Sequence, residues 1–188
     1  MTNALVILAE GFEECEALCT GDVLKRGGVS VTYASVGDRT VASAHSVRIT
    51  ADIVLSSKTL EDDWDIVFLP GGMPGAKNIA ASALARKLLL TQNENAKTVA
   101  AICASPAVVL GPLGLLEGRK ATVFPGCESY FPGFSFSSDG VVVSGNIVTA
   151  KSAGWAFDLG LKLLELIQGR EVAVRVKNQI YYKEGQNI

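Results

Sequence analysis

The chain has 188 residues, 48% of them hydrophobic, with 17 Lys plus Arg against 19 Asp plus Glu for a formal charge of −2. That length fits one domain over 1–188 whose core needs no disulfide staples. The balanced charge excludes the basic face of a nucleic-acid binder, and the apolar content excludes disorder.

The first apolar run, residues 4–9, stops at Glu10-Gly11 without a basic leader or cleavage site. It reads as a buried strand and not as a signal peptide or membrane span. Residues 13–27 carry helical spacing through Ala17, Leu18, Val23 and Leu24, with Gly27-Gly28 as the stop. Residues 29–36 alternate as a strand, and 41–49 read as a short hairpin. Glu61-Asp62-Asp63 is a solvated turn. Residues 65–69 form a buried strand ended by Pro70-Gly71-Gly72, and 82–95 a helix with Leu84, Leu88 and Leu89 on one face. Residues 98–102 are another buried strand, and a helix begins at Pro106. Two β-rich segments, 120–124 and 140–150, follow across a Gly/Pro/Ser-rich loop. An amphipathic helix over 155–168, opened by the packing residues Trp155 and Phe157, and a shorter one over 170–178 close the chain. Apolar strands alternating with amphipathic helices predict an α/β, doubly wound, mostly parallel sheet sandwiched by helices. The loops at 11–16, 72–78 and 124–136 are expected to line any pocket.

The four cysteines are Cys15, Cys19, Cys103 and Cys127. With no export signal, a reducing cytoplasmic compartment and free thiols are expected. No C-x-x-C occurs and His45 is the only histidine, so a zinc site is poorly supplied; no metal and no cofactor are expected. Cys15 and Cys19 are four apart on one helix face, which reads as packing.

The segment Val99-Ala100-Ala101-Ile102-Cys103-Ala104-Ser105-Pro106-Ala107-Val108 carries the chemistry. A buried strand runs straight into Cys103, and a helix starts almost at once, with Ser105 as N-cap and Pro106 in the first turn. This is the geometry of a nucleophile elbow at the carboxyl end of a parallel strand, where ligands bind. The positive end of a helix and its free amides would lower the thiol pKa and make Cys103 a nucleophile. The alternative is that Cys103 is a small buried hydrophobe. Local pattern leaves both open.

Ala-Ala-Ile-Cys-Ala-Ser-Pro closely resembles the elbow of the ThiJ/PfpI family, and the resemblance runs through the chain. Residues 4–16 look like its first strand and acidic loop, residues 65–72 like its Pro-Gly-Gly strand end, and Lys151-Ser152-Ala153-Gly154 like its late glycine turn. The resemblance implies a flavodoxin-like, class I glutamine amidotransferase-like fold and a homodimer. It implies that Cys103 is the nucleophile and that Glu16 is a protonated glutamate hydrogen-bonded to it, with a pKa raised by its poorly solvated pocket. It implies that Gly71, Gly72 and Ala104 supply backbone amides for an oxyanion or a cysteine oxygen. Without the resemblance, Glu16 reads as a surface carboxylate and the glycines as a plain turn.

One departure matters. Where some family branches place a histidine beside the cysteine, this chain has Phe124 in Thr122-Val123-Phe124-Pro125, as in the bacterial ThiJ-type branch. A Cys-His protease dyad is absent, so proteolysis is not expected. His45 reads as a surface or dimer-contact residue, and Cys127 as a bystander or a resolving thiol. The resemblance implies a stress-response cysteine enzyme acting on a small reactive carbonyl, as a glyoxalase or protein deglycase. The alternatives are a redox sensor or chaperone-like protein whose Cys103 meets an oxidant and becomes a sulfinate, and a thiamine-pathway role. No nucleic-acid or membrane partner is expected.

Overall fold

Side chains of a strand point alternately to the two faces of its sheet, so a strand apolar at every position must be covered on both. The computed structural model describes residues 2–182, and strand β1 (Asn3–Leu8) obeys this rule. Leu5 and Ile7 enter one core, while Ala4, Val6 and Leu8 enter the other. The remaining strands are β2 (Ser30–Ser35), β3 (Thr40–Ala42), β4 (Arg48–Thr50), β5 (Ile53–Val54), β6 (Ile66–Leu69), β7 (Thr98–Ile102), β8 (Val141–Ser144) and β9 (Ile147–Ala150). Seven of them form one sheet in the order β5-β2-β1-β6-β7-β9-β8, parallel throughout except for the β8–β9 pair. Strands β3 and β4 make a separate antiparallel pair, the hairpin expected over 41–49.

Helices α1 (Glu14–Arg26), α4 (Ala156–Gln168) and α5 (Arg170–Gln179) cover one face, sending Leu24, Leu159, Leu163 and Val176 into its core. Helices α2 (Gly75–Ala81) and α3 (Ala83–Glu94) cover the other, through Ile79, Leu88 and Leu89. The doubly wound, mostly parallel sandwich is therefore observed. Among the described residues no helix is long and apolar enough to cross a membrane. Met1 and residues 183–188, which the expectation of a domain over 1–188 included, lie outside the described residues.

Several local expectations are corrected. The stretch expected as a loop over 72–78 turns into α2, held by burial of Ala76 and Ile79. Residues 120–124 do not make a strand. Only an isolated bridge, Thr122 with Ser137, is present, because the Thr122 amide donates to the Thr149 hydroxyl and not to a neighbouring carbonyl. The segment 140–150 is two strands, folded back at Gly145 with φ +63°. The helix after Cys103 is a π-helical turn, Pro106–Leu110, in which the Gly111 amide reaches the Pro106 carbonyl.

Candidate active site at the Cys103 elbow

Strand β7 ends at Ile102, and the next residue, Cys103, has φ +63°. A side chain in that left-handed region costs about 1–2 kcal/mol, so the fold must hold it there. Two backbone hydrogen bonds do so: the Cys103 amide donates to the Ala150 carbonyl, and the Cys103 carbonyl accepts from Phe124, both at 2.9 Å. The thiol-bearing residue is thus turned out of the sheet at the carboxyl end of β7 and is only partly buried. This is the strained strand-to-helix turn of a nucleophile elbow.

Ser105 stands at the expected N-cap position, but its side chain makes no capping bond. Its backbone is already helical (φ −61°, ψ −34°), whereas a capping residue is extended. Its fully buried hydroxyl instead donates to the Pro70 carbonyl at 2.6 Å, tying the elbow to the end of β6.

Glu16 lies in the first turn of α1 and is completely buried, so it is no surface carboxylate. Glu13, as the N-cap of α1, accepts from the Glu16 amide at 2.7 Å and fixes that turn. The Gly71 amide donates to Glu16 Oε2 at 2.6 Å. Glu16 Oε1 is buried and meets no partner at ordinary hydrogen-bond geometry; the Cys103 thiol is the polar side chain close enough to hydrogen-bond the carboxylate. Burial lifts Glu16 from an ordinary 4.5 to about 7, against the lowering effect of the Gly71 and Cys103 hydrogen bonds.

Two expectations about the cradle change. Gly71 does not serve the sulfur, because its amide is used on Glu16. The amides that hydrogen-bond the Cys103 sulfur are those of Gly72 and Ala104. The expected direction for the thiol is also reversed. Burial pushes Cys103 above the ordinary thiol range, and the charge and hydrogen bond of Glu16 add to this; the two amides pull the other way. A full negative charge beside the sulfur outweighs the partial positive charge of a turn only five residues long. With Glu16 ionised, the proton between the two groups rests on the Cys103 sulfur.

Close packing explains both glycines. A Cβ on Gly71 would lie 2.6 Å from the Cys103 Cβ and 2.8 Å from Glu16 Oε2. Gly72, at φ +84°, has no room for one either, since it would meet the Glu13 amide nitrogen at 2.5 Å.

The Phe124 amide donates to the Cys103 carbonyl and so ties its segment to the elbow. His45 is exposed and pairs with Glu14 at 2.9 Å. Sequence reasoning missed that Glu13, Glu14 and His45 converge, with one ligand atom from each within 4.8 Å of the others. They are the described residues able to hold a metal, although Glu13 already caps α1 and Glu14 already holds His45. Residues 31 positions apart gave no spacing signal for this group. Cys15 is exposed, with its thiol pushed up by the charge of Glu13; Cys19 and Cys127 are partly buried, and burial pushes both up.

A model of the DJ-1/PfpI family matches residues 2–166. The chain belongs to the DJ-1/PfpI family. It is 34% identical over 186 residues to the Parkinson disease protein 7 homologue of Danio rerio, covering 97% of this chain and 98% of that one. It is 35% identical over 171 residues to the glutathione-independent glyoxalase DJR-1.2 of Caenorhabditis elegans, covering 90% of each. It is 38% identical over 173 residues to DJ-1 homologue B of Arabidopsis thaliana, covering 92% of this chain but only 39% of that longer protein. Among solved structures, oxidized DJ-1 of Toxoplasma gondii superposes with a TM-score of 0.92 at 38% identity, covering 97% of this chain and 99% of that one. Within the family's flavodoxin-like fold, the elbow, the buried acid and the Pro-Gly-Gly strand end all meet at one point.

Proposed function

We propose that this chain is a stress-protective cysteine enzyme that converts reactive 2-oxoaldehydes to 2-hydroxy acids at Cys103. The observation that carries the reading is the pairing of a partly exposed, left-handed Cys103 with a fully buried Glu16. The glyoxalase name of the Caenorhabditis relative supports it.

Glu16 is the proton carrier. As a carboxylate it takes the Cys103 proton while sulfur adds to the aldehyde carbon. The carbon–sulfur bond forms, the carbonyl π pair moves to oxygen, and Glu16 returns the proton there, giving a hemithioacetal. Glu16 then removes the proton from the former aldehyde carbon and returns it to the neighbouring ketone carbon, while the hydroxyl proton passes from the first oxygen to the former ketone oxygen, leaving a 2-hydroxy thioester. Water cleaves the thioester, releasing the 2-hydroxy acid and the thiol. One carbon is oxidised and its neighbour reduced, so no external oxidant enters. The Gly72 and Ala104 amides stabilise the negative charge that develops on sulfur and on the attacked oxygen. The family resemblance extends the proposal to a cytoplasmic homodimer, with glycated protein as a further carbonyl substrate.

The test is lactate formation from methylglyoxal by the wild type and by Cys103→Ser. Activity in the wild type and its loss in the variant support the proposal; equal rates sink it.

A second reading, a redox sensor, draws on the same cradle. Two equivalents of peroxide would each transfer one oxygen to the Cys103 sulfur and leave as water, and a protonated Glu16 with the two amides would hold the sulfinate. The oxidized state named for the Toxoplasma relative favours it. Intact mass after mild peroxide separates the readings: oxygen addition that persists in Cys103→Ala excludes Cys103 as the sensor.

A further inference from the structure

Glu13, Glu14 and His45 each bring one metal-ligating atom within 4.8 Å of the other two. His45 Nδ1 and Glu14 Oε1 are 2.9 Å apart. With metal–ligand bonds of about 2.0–2.2 Å, adjacent ligand atoms in a tetrahedral or octahedral shell stand about 3.0–3.5 Å apart. A small movement of the imidazole therefore opens this pair to an ion.

The backbone holds all three residues in place. The Gly11 amide donates to the Ala42 carbonyl at 2.8 Å and the Ala44 amide to the Phe12 carbonyl at 2.7 Å, stitching the loop between β3 and β4 to the segment that leads into α1. Within that loop Ser43 Oγ accepts from the amides of His45 and Val47, at 3.3 and 3.0 Å, and fixes the turn that carries His45. The bond that makes Glu13 the N-cap of α1 takes Oε2 and leaves its other carboxylate oxygen for another partner. Ligands preset in this way bind without the cost of ordering a loop.

Glu14 Oε2 is shut off from solvent and meets no partner at ordinary hydrogen-bond geometry. The Ser43 hydroxyl acts on the same carboxylate, whose side chain is 15% exposed. A buried, unsatisfied carboxylate oxygen is a group that a bound ion accounts for. The His45 side chain, at 70% exposed, keeps the outer side of the cluster open, so water can complete the shell. One imidazole nitrogen with two carboxylates suits a borderline divalent ion such as zinc, whereas magnesium and calcium take oxygen alone.

We propose that Glu13, Glu14 and His45 bind one zinc-class divalent ion, which clips the loop between β3 and β4 to the first turn of α1. The site is independent of the chemistry at Cys103. On binding, Nδ1 of His45 gives its lone pair to the metal and the neutral ring carries its proton on Nε2. Glu14 exchanges its bond to His45 for one to the ion, and the two carboxylates balance the charge.

His45 is the only histidine in the chain, so its ring signals are unambiguous in a proton NMR spectrum. Zinc is titrated at about pH 7.5, where an exposed imidazole is mostly neutral. The ring signals should move and saturate, and the same concentrations of magnesium should leave them in place. Glu14→Gln should need at least about tenfold more zinc for the same movement. His45→Asn, changed at an exposed side chain, should lose about one zinc per chain in equilibrium dialysis. Zinc taken up while the His45 signals stay still would put the ion on the thiols and overturn the proposal. So would a shift that does not saturate, an equal response to magnesium, a Glu14→Gln titration like that of the wild type, or unchanged zinc uptake by His45→Asn.

Discussion

The Gly71 amide nitrogen sits 2.6 Å from Glu16 Oε2, so the glycine at the end of β6 holds the acid and not the thiol. The strand end, the first turn of α1 and the elbow after β7 are thereby joined through one buried carboxylate.

Glu16 makes folding pH-dependent. Its folded pKa of about 7 lies above the ordinary 4.5, so between these values the folded chain keeps a proton that the unfolded chain has lost. Its contribution to stability is complete below about pH 4.5 and is lost as pH rises through about 7. The shift corresponds to a loss on the order of 3 kcal/mol. Urea unfolding at about pH 5 and about pH 8 should show that slope in the wild type and a much flatter one in Glu16→Gln. An identical slope in both proteins would show that the buried acid does not titrate in this range. Catalysis runs the opposite way, because Glu16 must be ionised to take the thiol proton. Turnover should therefore rise as pH passes through about 7.

Gly71→Ala should damage both folding and chemistry. The added methyl would stand 2.6 Å from the Cys103 Cβ and 2.8 Å from Glu16 Oε2, with backbone at Ala104 behind it. Overpacking of this kind costs about 1–3 kcal/mol. Urea midpoints and methylglyoxal turnover measured together should both fall. A variant as stable and as active as the wild type would mean that the two loops are not in close contact.

Ser105→Ala tests what the hydroxyl does. Its bond to the Pro70 carbonyl is buried, so losing it leaves an unsatisfied acceptor inside the protein. The expected cost is about 1–3 kcal/mol in urea unfolding. The variant should also slow Cys103 alkylation or turnover, because the elbow loses its tie to β6. A change within about 0.5 kcal/mol would place this serine with ordinary surface positions.

Much of the scaffold was legible in the chain. Runs such as Ile66–Leu69 and Thr98–Ile102 are apolar at successive positions, which only a strand covered on both faces satisfies. Helix α2 was not legible: it is seven residues long, follows Pro74, starts at Gly75 and has no side-chain cap. Burial of Ala76 and Ile79 makes it a helix, and burial depends on partners far along the sequence. Residues 120–124 had strand composition, yet the Lys120 and Thr122 amides donate to the side-chain hydroxyls of Ser144 and Thr149 instead of to a ladder.

By itself, then, the order of residues determined the layered sheet and the place where Cys103 leaves it. Those features follow from apolar periodicity and turn chemistry, which act between near neighbours. Only the tertiary structure decided which amide serves which atom, that Glu16 is sealed from water, and that the thiol pKa is pushed up and not down. Solvation and charge at the site are set by groups from α1, β6 and the elbow, and segments distant in the chain acquire their distances from one another only when the sheet closes over them.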